Sequence, residues 1–378
     1  RGYTPRAVHL PFDLPPLLAV GAELKGAFCL TRGSQAFMSQ HIGDLQNVET
    51  LQAMDSVAES MKRLLGITPQ LIVHDVHPDY LSTRYAIEHG DLAIIGVQHH
   101  HAHMAACMAE NRLEGELIGV IFDGTGYGDD GTVWGGEFLA GGFERASRMG
   151  RFRQVPLPGG DAAVREPYRM ALAYCHDSIG SEAFTAPLAG WSELIEQERE
   201  LLRLVIEKRI NSPLTTSCGR LFDAVAALIG VRGIVSYEGQ AAIELEAAAD
   251  CGTESDGYPF TISETSGMLE IDWRQLFAAL LEDIRSGSNQ ADMARRFHSS
   301  VAGASLETCR RIRSACGFER VVLSGGVFQN RLLTEQLWRL LEDDGFQVFT
   351  HRLVPPNDGG LALGQAVIAG SNYMKRGL

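Results

Sequence analysis

Cysteine is scarce and unpatterned in this chain. Its seven residues, Cys29, Cys107, Cys175, Cys218, Cys251, Cys309 and Cys316, form no CxxC pair and no closely spaced framework. That excludes a disulfide-stapled scaffold or a zinc ribbon and reads as reduced, mostly buried thiols in a cytoplasmic protein. No stretch approaches the roughly 18 consecutive apolar residues of a membrane span. Arg1-Gly2-Tyr3-Thr4-Pro5 lacks both an initiating Met and a signal-peptide pattern, so the chain reads as a piece of something longer. HExxH and Walker A sequences are absent, which argues against a zinc peptidase and a P-loop enzyme. Positive charge is in deficit: 33 Lys and Arg against 47 Asp and Glu leave −14. An acidic surface repels phosphate backbones, so general nucleic-acid binding is disfavoured. No internal repeat and no low-complexity tract stands out.

What is present is an alternation of strand and helix signals. With 378 residues and about 150 residues per domain as a prior, two lobes are expected. Leu17–Ala22, Ala27–Thr31 and Ala36–Gln40, with turn residues at Arg32-Gly33-Ser34, predict a three-stranded antiparallel meander. Helical spacing follows over Val48–Leu65, then a strand from Leu71, a helix from Tyr80, a strand at Leu92–Val97 and a helix from about His100. The order begins again at Leu117–Phe122 and ends in a strand at Arg320–Leu323, a helix at Val327–Leu341, a strand at Gln347–Thr350 and a last helix from Gly360. Three strands followed by helix–strand–helix–strand, occurring twice, predicts an α/β protein of two ribonuclease-H-like lobes, the actin/hexokinase/Hsp70 architecture with a nucleotide cleft between lobes. The boundary falls between residues 116 and 117, and the last helix is free to pack back on the first lobe.

The densest chemistry lies in Gln98-His99-His100-His101-Ala102-His103. His99 and His103 are spaced i, i+4, so on a helix their imidazoles share one face within reach of one cation. Neutral imidazole suits zinc or iron, and ligand type alone does not choose. Oxygen ligands would come from strand-end carboxylates beside glycine, Asp123 and Asp358, although Asx turns or helix caps serve such residues equally well. Glycine turns after strands are candidate phosphate cradles: Gly124 and Gly126 after Asp123, and Ser324-Gly325-Gly326 running on to Asn330. Free N–H groups and a helix N-terminus favour an anion there. Lys25, at a hairpin tip, offers a cation for phosphate or simply a solvated side chain. Gly219, Arg220 and Asp223 open one helix, and Glu238 and Gly239 another; either could hold a base or ribose, or only cap its helix. His74-Asp75, with His77 following, ends a strand and is a candidate acid–base pair. Cys218 has no neighbour in sequence that would activate it, so it is set aside as a nucleophile.

These segments together resemble one family. Gln98–Cys107, Gly21–Lys25, Ser39–Leu45, Val73–Pro78, Leu157–Asp161, Ser217–Asp223, Ser236–Glu244, Ser324–Asn330 and Asp358–Gln365 resemble, in order, the C-terminal domain of HypF-type [NiFe]-hydrogenase maturation proteins. That domain is similar in fold to the TsaD family of tRNA-modifying proteins. The resemblance implies that His99, His103, Asp123 and Asp358 hold a divalent metal, zinc or iron. It also implies ATP or carbamoyl-adenylate as the nucleotide. The activity implied is transfer of the carbamoyl group to the C-terminal cysteine thiol of a HypE-like acceptor, toward the cyanide ligands of the hydrogenase iron. Upstream acylphosphatase-like, zinc-finger and YrdC-like domains would make the adenylate, and Arg1-Gly2-Tyr3 looks like a join to the last of these. Three alternatives stay open: a TsaD-like threonylcarbamoyl transferase acting on tRNA, a small-molecule O-carbamoyltransferase, and a non-catalytic ATP-binding docking module.

Overall fold

A computed structural model of the chain describes residues 4–88, 92–185, 196–253 and 256–375. The first part comprises β1 (Ala7–Leu14), β2 (Leu17–Ala19), β3 (Cys29–Met38), α1 (Val48–Leu65), β4 (Leu71–Asp75), α2 (Leu81–Glu88), β5 (Ala93–Val97) and α3 (His99–Glu110). There follow β6 (Leu117–Tyr127), β7 (Val133–Gly141), β8 (Ala146–Phe152), β9 (Val155–Pro156), α4 (Ala162–Arg165), α5 (Tyr168–Ile179), α6 (Glu196–Glu207), β10 (Leu214–Thr215), α7 (Cys218–Leu228) and α8 (Gln240–Asp250). The chain continues through β11 (Thr261–Thr265), β12 (Met268–Asp272), α9 (Arg274–Arg285), α10 (Gln290–Cys316), β13 (Arg320–Ser324), α11 (Arg331–Asp343), β14 (Gln347–Phe349) and α12 (Leu361–Lys375). The sequence also predicts helical material over 190–210, of which the residues before 196 lie outside the described residues.

Two sheets organise these elements. In the second, the order β8-β7-β6-β13-β14 sets two antiparallel pairings beside two parallel ones, the expected ribonuclease-H-like pattern; β11 and β12 extend its edge. The first sheet, β1-β3-β2-β4-β5, departs from the expected meander. Residues 29–38 are one strand, and its antiparallel partners β1 and β2 face successive stretches of it: Ala7 lies opposite Phe37, Leu14 opposite Gly33 and Leu18 opposite Leu30. Arg32-Gly33-Ser34 is therefore an irregularity inside a strand and no turn. The register shift places its extra residues on β1, between His9 and Leu14, and Gly33 opposite takes a positive φ of +57°. The parallel strands β2, β4 and β5 complete the sheet.

Small residues bring α3 and α12 together. Ala102, Ala105, Ala106 and Ala109 favour helix, and all four are buried. A Cβ on Gly364 of α12 would lie 1.8 Å from the Ala102 carbonyl oxygen, so only glycine permits this approach. Gln365 of α12 then closes a pair of bonds with the Gly21 backbone, its Oε1 accepting from N–H at 2.9 Å and its Nε2 donating to the carbonyl at 3.0 Å. The last helix thus packs among β1 to β4 and α3, and α3 is clamped between the two sheets. Among the described residues no helix is long and apolar enough to cross a membrane.

Candidate metal and nucleotide site

The site gathers where strands of both sheets end. β5 runs into α3, whose N-cap Gln98 accepts from His101 N–H at 2.8 Å. One turn apart on α3, His99 and His103 are both buried and face Asp123. His99 Nε2 lies 3.3 Å and His103 Nε2 3.2 Å from Asp123 Oδ2; their distances to Asp358 Oδ1 are 3.7 and 3.5 Å. All four donor atoms lie within 4.8 Å of one another. Ligands held at about 2.1 Å around a tetrahedral ion stand roughly 3.4 Å apart, so this donor set fits a divalent cation.

Asp123 owes its aim to a break in its strand. The β6–β7 register shifts between Phe122 and Gly126, so the predicted Asp-Gly-Thr-Gly turn is a bulge within β6, which re-aims a side chain without ending the strand. Asp123 Oδ1 accepts from Gly124 N–H at 2.8 Å and Gly326 N–H at 3.1 Å, leaving Oδ2 for the histidines. Phe122 stacks on Phe328 at 5.4 Å and so holds the Gly326–Gln329 turn against β6. Behind His99, Asp75 Oδ2 accepts from Nδ1 at 2.7 Å, with both side chains fully buried. A proton on Nδ1 leaves the Nε2 lone pair for a metal. Burial works against charge on His99, but Asp75, Asp123 and Asp358 outweigh it and hold the imidazole well above its ordinary value. His103 is raised likewise against its burial, by Asp123 and Asp358. Asp123 is held well below the carboxylate range by the two histidines despite burial. A bound cation would take the place of these protons.

Two adjoining cavities lie next to this quartet, one of them reaching Asp123. One of about 430 Å³ is lined by Lys25, Asp123, Gly124, Gly219, Arg220, Asp223, Glu238, Gly239, Gly326 and Asn330. The other, of about 510 Å³, is lined by His77, Tyr80, Gly126, Tyr127 and Leu157 and shares Gly124, Arg220 and Glu238 with the first. Lys25 Nζ lies 2.5 Å from Glu238 Oε2; burial opposes its charge, but Glu238, Asp358 and Asp123 raise the ammonium above its ordinary value.

Some expected site residues are placed elsewhere. His74 turns to the opposite face of β4 from Asp75, its Nδ1 against the Asp75 carbonyl at 2.6 Å and its ring beside Gly96. His77 takes the position facing the cavity, so His74-Asp75 is not an acid–base pair directed at a ligand. Ser324 and Gly325 do not line the cavities either. Ser324 Oγ donates to the His103 carbonyl at 2.9 Å and sits 2.7 Å from His351 Nε2, while Gly325 N–H donates to the Pro356 carbonyl. The Gly326 amide is occupied by Asp123, so the expected phosphate cradle is largely spent on holding a carboxylate. Asn330 caps α11 through Oδ1 and donates from Nδ2 to His298 Nε2 at 3.0 Å. Sequence reasoning missed Tyr80, Tyr127 and Asn357; aromatic residues beside the glycine run were the available signal for Tyr127.

Fold and site together define a two-lobed α/β protein with a His/Asp group that could hold a metal ion beside two adjoining cavities. Family models match on both sides of residue 115: the HypF Kae1-like domain over residues 13–110, and the second subdomain of the carbamoyltransferase Kae1-like domain over residues 119–365. The chain belongs to the HypF carbamoyltransferase family. Carbamoyltransferase HypF2 of Cupriavidus necator is 40% identical, over 98% of this chain and 48% of that protein. A carbamoyltransferase HypF homolog of the same organism is 38% identical, over 96% of this chain and 94% of its own length. A crystal structure of full-length HypF in a phosphate- and nucleotide-bound form superposes with a TM-score of 0.92 at 40% identity, over 98% of this chain and 58% of that one. The chain thus spans about half the length of the longer relatives it matches.

Proposed function

We propose that this chain transfers the carbamoyl group from carbamoyl-adenylate to the C-terminal cysteine thiol of a HypE-like acceptor, in cyanide-ligand synthesis for [NiFe]-hydrogenase. The observation that carries this reading is the meeting of two cavities beside the His99, His103, Asp123 and Asp358 group: a nucleotide and an acceptor can each have their own entrance and share one reacting point. Residues 1–116 and 117–378 are the two lobes, with α12 returning to the first. The nucleotide occupies the cavity of Lys25, Gly219, Asp223, Glu238 and Gly239, with Lys25 facing phosphate. Zinc or iron held by the quartet would supply positive charge against the phosphate that leaves. Asp75 orients His99, and the Tyr80–His77 stack, at 4.0 Å between ring centres, walls the acceptor side.

The thiol must come from outside. Cys218, beside the site, is fully buried, and burial pushes its thiol well above the ordinary range, which leaves it an inert neutral side chain. A free thiol in solution is only a small fraction thiolate at neutral pH, with a pKa of about 8.5. YrdC-like, zinc-finger and acylphosphatase-like domains of a longer protein supply the adenylate, in the cytoplasm. The test is AMP release from supplied carbamoyl-adenylate by the metal-loaded chain, with a peptide ending in cysteine, a hydroxyl acceptor or tRNA added in turn. Acceleration by the cysteine peptide alone supports the proposal; acceleration by tRNA or the hydroxyl compound alone overturns it.

A further inference from the structure

We infer that Arg220 holds the carbamoyl oxygen at the point where the two cavities meet, donating to it as negative charge develops during transfer. This rests on the transfer reading above. Arg220 opens α7 behind the N-cap Ser217, whose Oγ accepts from the Arg220 N–H at 3.1 Å. The residue is only 4% exposed, yet it lines both cavities. Its Nη2 lies 2.9 Å from Asp223 Oδ2, while its buried Nε has no protein acceptor. A guanidinium buried at the junction of two cavities has donor capacity that the protein leaves unmet.

The surroundings keep space open in front of it. A Cβ on Gly124 would lie 3.8 Å from Nη2, and one on Gly219 would lie 2.9 Å from the Gly124 Cα, so the two glycines let β6 and α7 close together without side chains filling the junction. Lys25, the other cation lining the nucleotide cavity, faces the phosphate in the transfer reading. Burial pushes Asp223 above its ordinary range against the pull of Arg220.

The step then balances as follows. The acceptor thiol releases its proton to solvent, and the thiolate sulfur attacks the carbamoyl carbon, forming a C–S bond. The carbonyl π pair moves onto oxygen, where the Arg220 guanidinium donates to it. Collapse restores C=O and breaks the bond from carbon to the phosphate oxygen, and AMP leaves with that electron pair.

The experiment measures single-turnover consumption of carbamoyl-adenylate by the full chain, in one arm with a cysteine-ending peptide and in the other with water as acceptor. Wild type is compared with Arg220→Gln, Arg220→Lys and Arg220→Ala, and AMP affinity is titrated for each. Arg220→Gln is expected to slow both arms on the order of 100-fold, with AMP affinity within about threefold of wild type. Guanidinium ion should restore part of the rate in Arg220→Ala, an effect that a purely structural role would not give. Rates within about threefold of wild type, or an affinity loss that matches the rate loss, overturn the inference. If Arg220→Gln does not fold, the Arg220→Lys rate and the guanidinium rescue decide. Wild type inactive in both arms would instead defeat the transfer reading itself.

Discussion

Replacing Asp75 by asparagine alters one atom and exposes the logic of the site. Both carboxylate oxygens of Asp75 are acceptors: Oδ1 takes the His77 backbone N–H at 2.9 Å and Oδ2 takes His99 Nδ1 at 2.7 Å. An asparagine must present its NH2 to one of these donors. Either the His77 bond is lost and the loop toward the acceptor cavity loosens, or His99 gives up its Nδ1 proton and carries it on Nε2, where it blocks metal ligation. Loss of such an orienting carboxylate weakens metal binding by about 10- to 100-fold, or roughly 1.4–2.7 kcal/mol. Zinc or ferrous ion titrated by calorimetry into metal-free wild type and Asp75→Asn should show this difference, with metal-free AMP affinity unchanged. Metal affinity within about twofold of wild type would refute the assignment of Asp75 as the group that fixes the His99 tautomer.

Other consequences follow from single contacts. A Cβ at Gly126 would lie 2.4 Å from His100 Cε1 and 2.8 Å from His99 Cδ2, so Gly126→Ala should cost about 1–3 kcal/mol in denaturant melts and weaken metal binding by displacing His99. Burial lowers His298 to about 4; its Nδ1–H is given to the Ala294 carbonyl and its Nε2 accepts from Asn330. An unfolded histidine titrates near 6.5, so this group's contribution is complete above that pH and is lost as pH falls toward 4, about 3 kcal/mol in all. Urea melts across that window should be flatter with pH for His298→Gln than for wild type; equal slopes would refute it. Lys25→Gln should weaken AMP binding by about tenfold at low salt, with the gap narrowing as ionic strength rises, since Lys25 is partly exposed.

Much of this was legible in the sequence wherever a local rule governs. Val48–Leu65 and Arg320–Ser324 follow from apolar periodicity and from a buried run, and the His99/His103 spacing puts two imidazoles on one face of a helix. Residues whose job depends on what lies behind them were not readable. Asp75 and His74 are neighbours in sequence, yet β-strand alternation sends one to His99 and the other away. Ser324 looked like part of a phosphate turn, but it belongs to a buried chain in which Glu110 Oε1 lies 2.5 Å from His351 Nδ1 and His351 reaches Ser324, three positions joined only by the fold. Gly33 had the composition of a turn; the long pairing of 29–38 with two earlier strands, a tertiary fact, keeps it inside a strand.

The central claim is settled most directly by following the carbamoyl group itself. Metal-loaded chain is given labelled carbamoyl-adenylate and an acceptor protein ending in cysteine, and the acceptor is analysed by intact mass and peptide mapping. Label on the terminal cysteine with wild type, and none with the His99→Ala, His103→Ala double variant, is the predicted result. Label appearing equally with the double variant, or an unlabelled cysteine despite full metal and nucleotide occupancy of the wild type, would contradict the account.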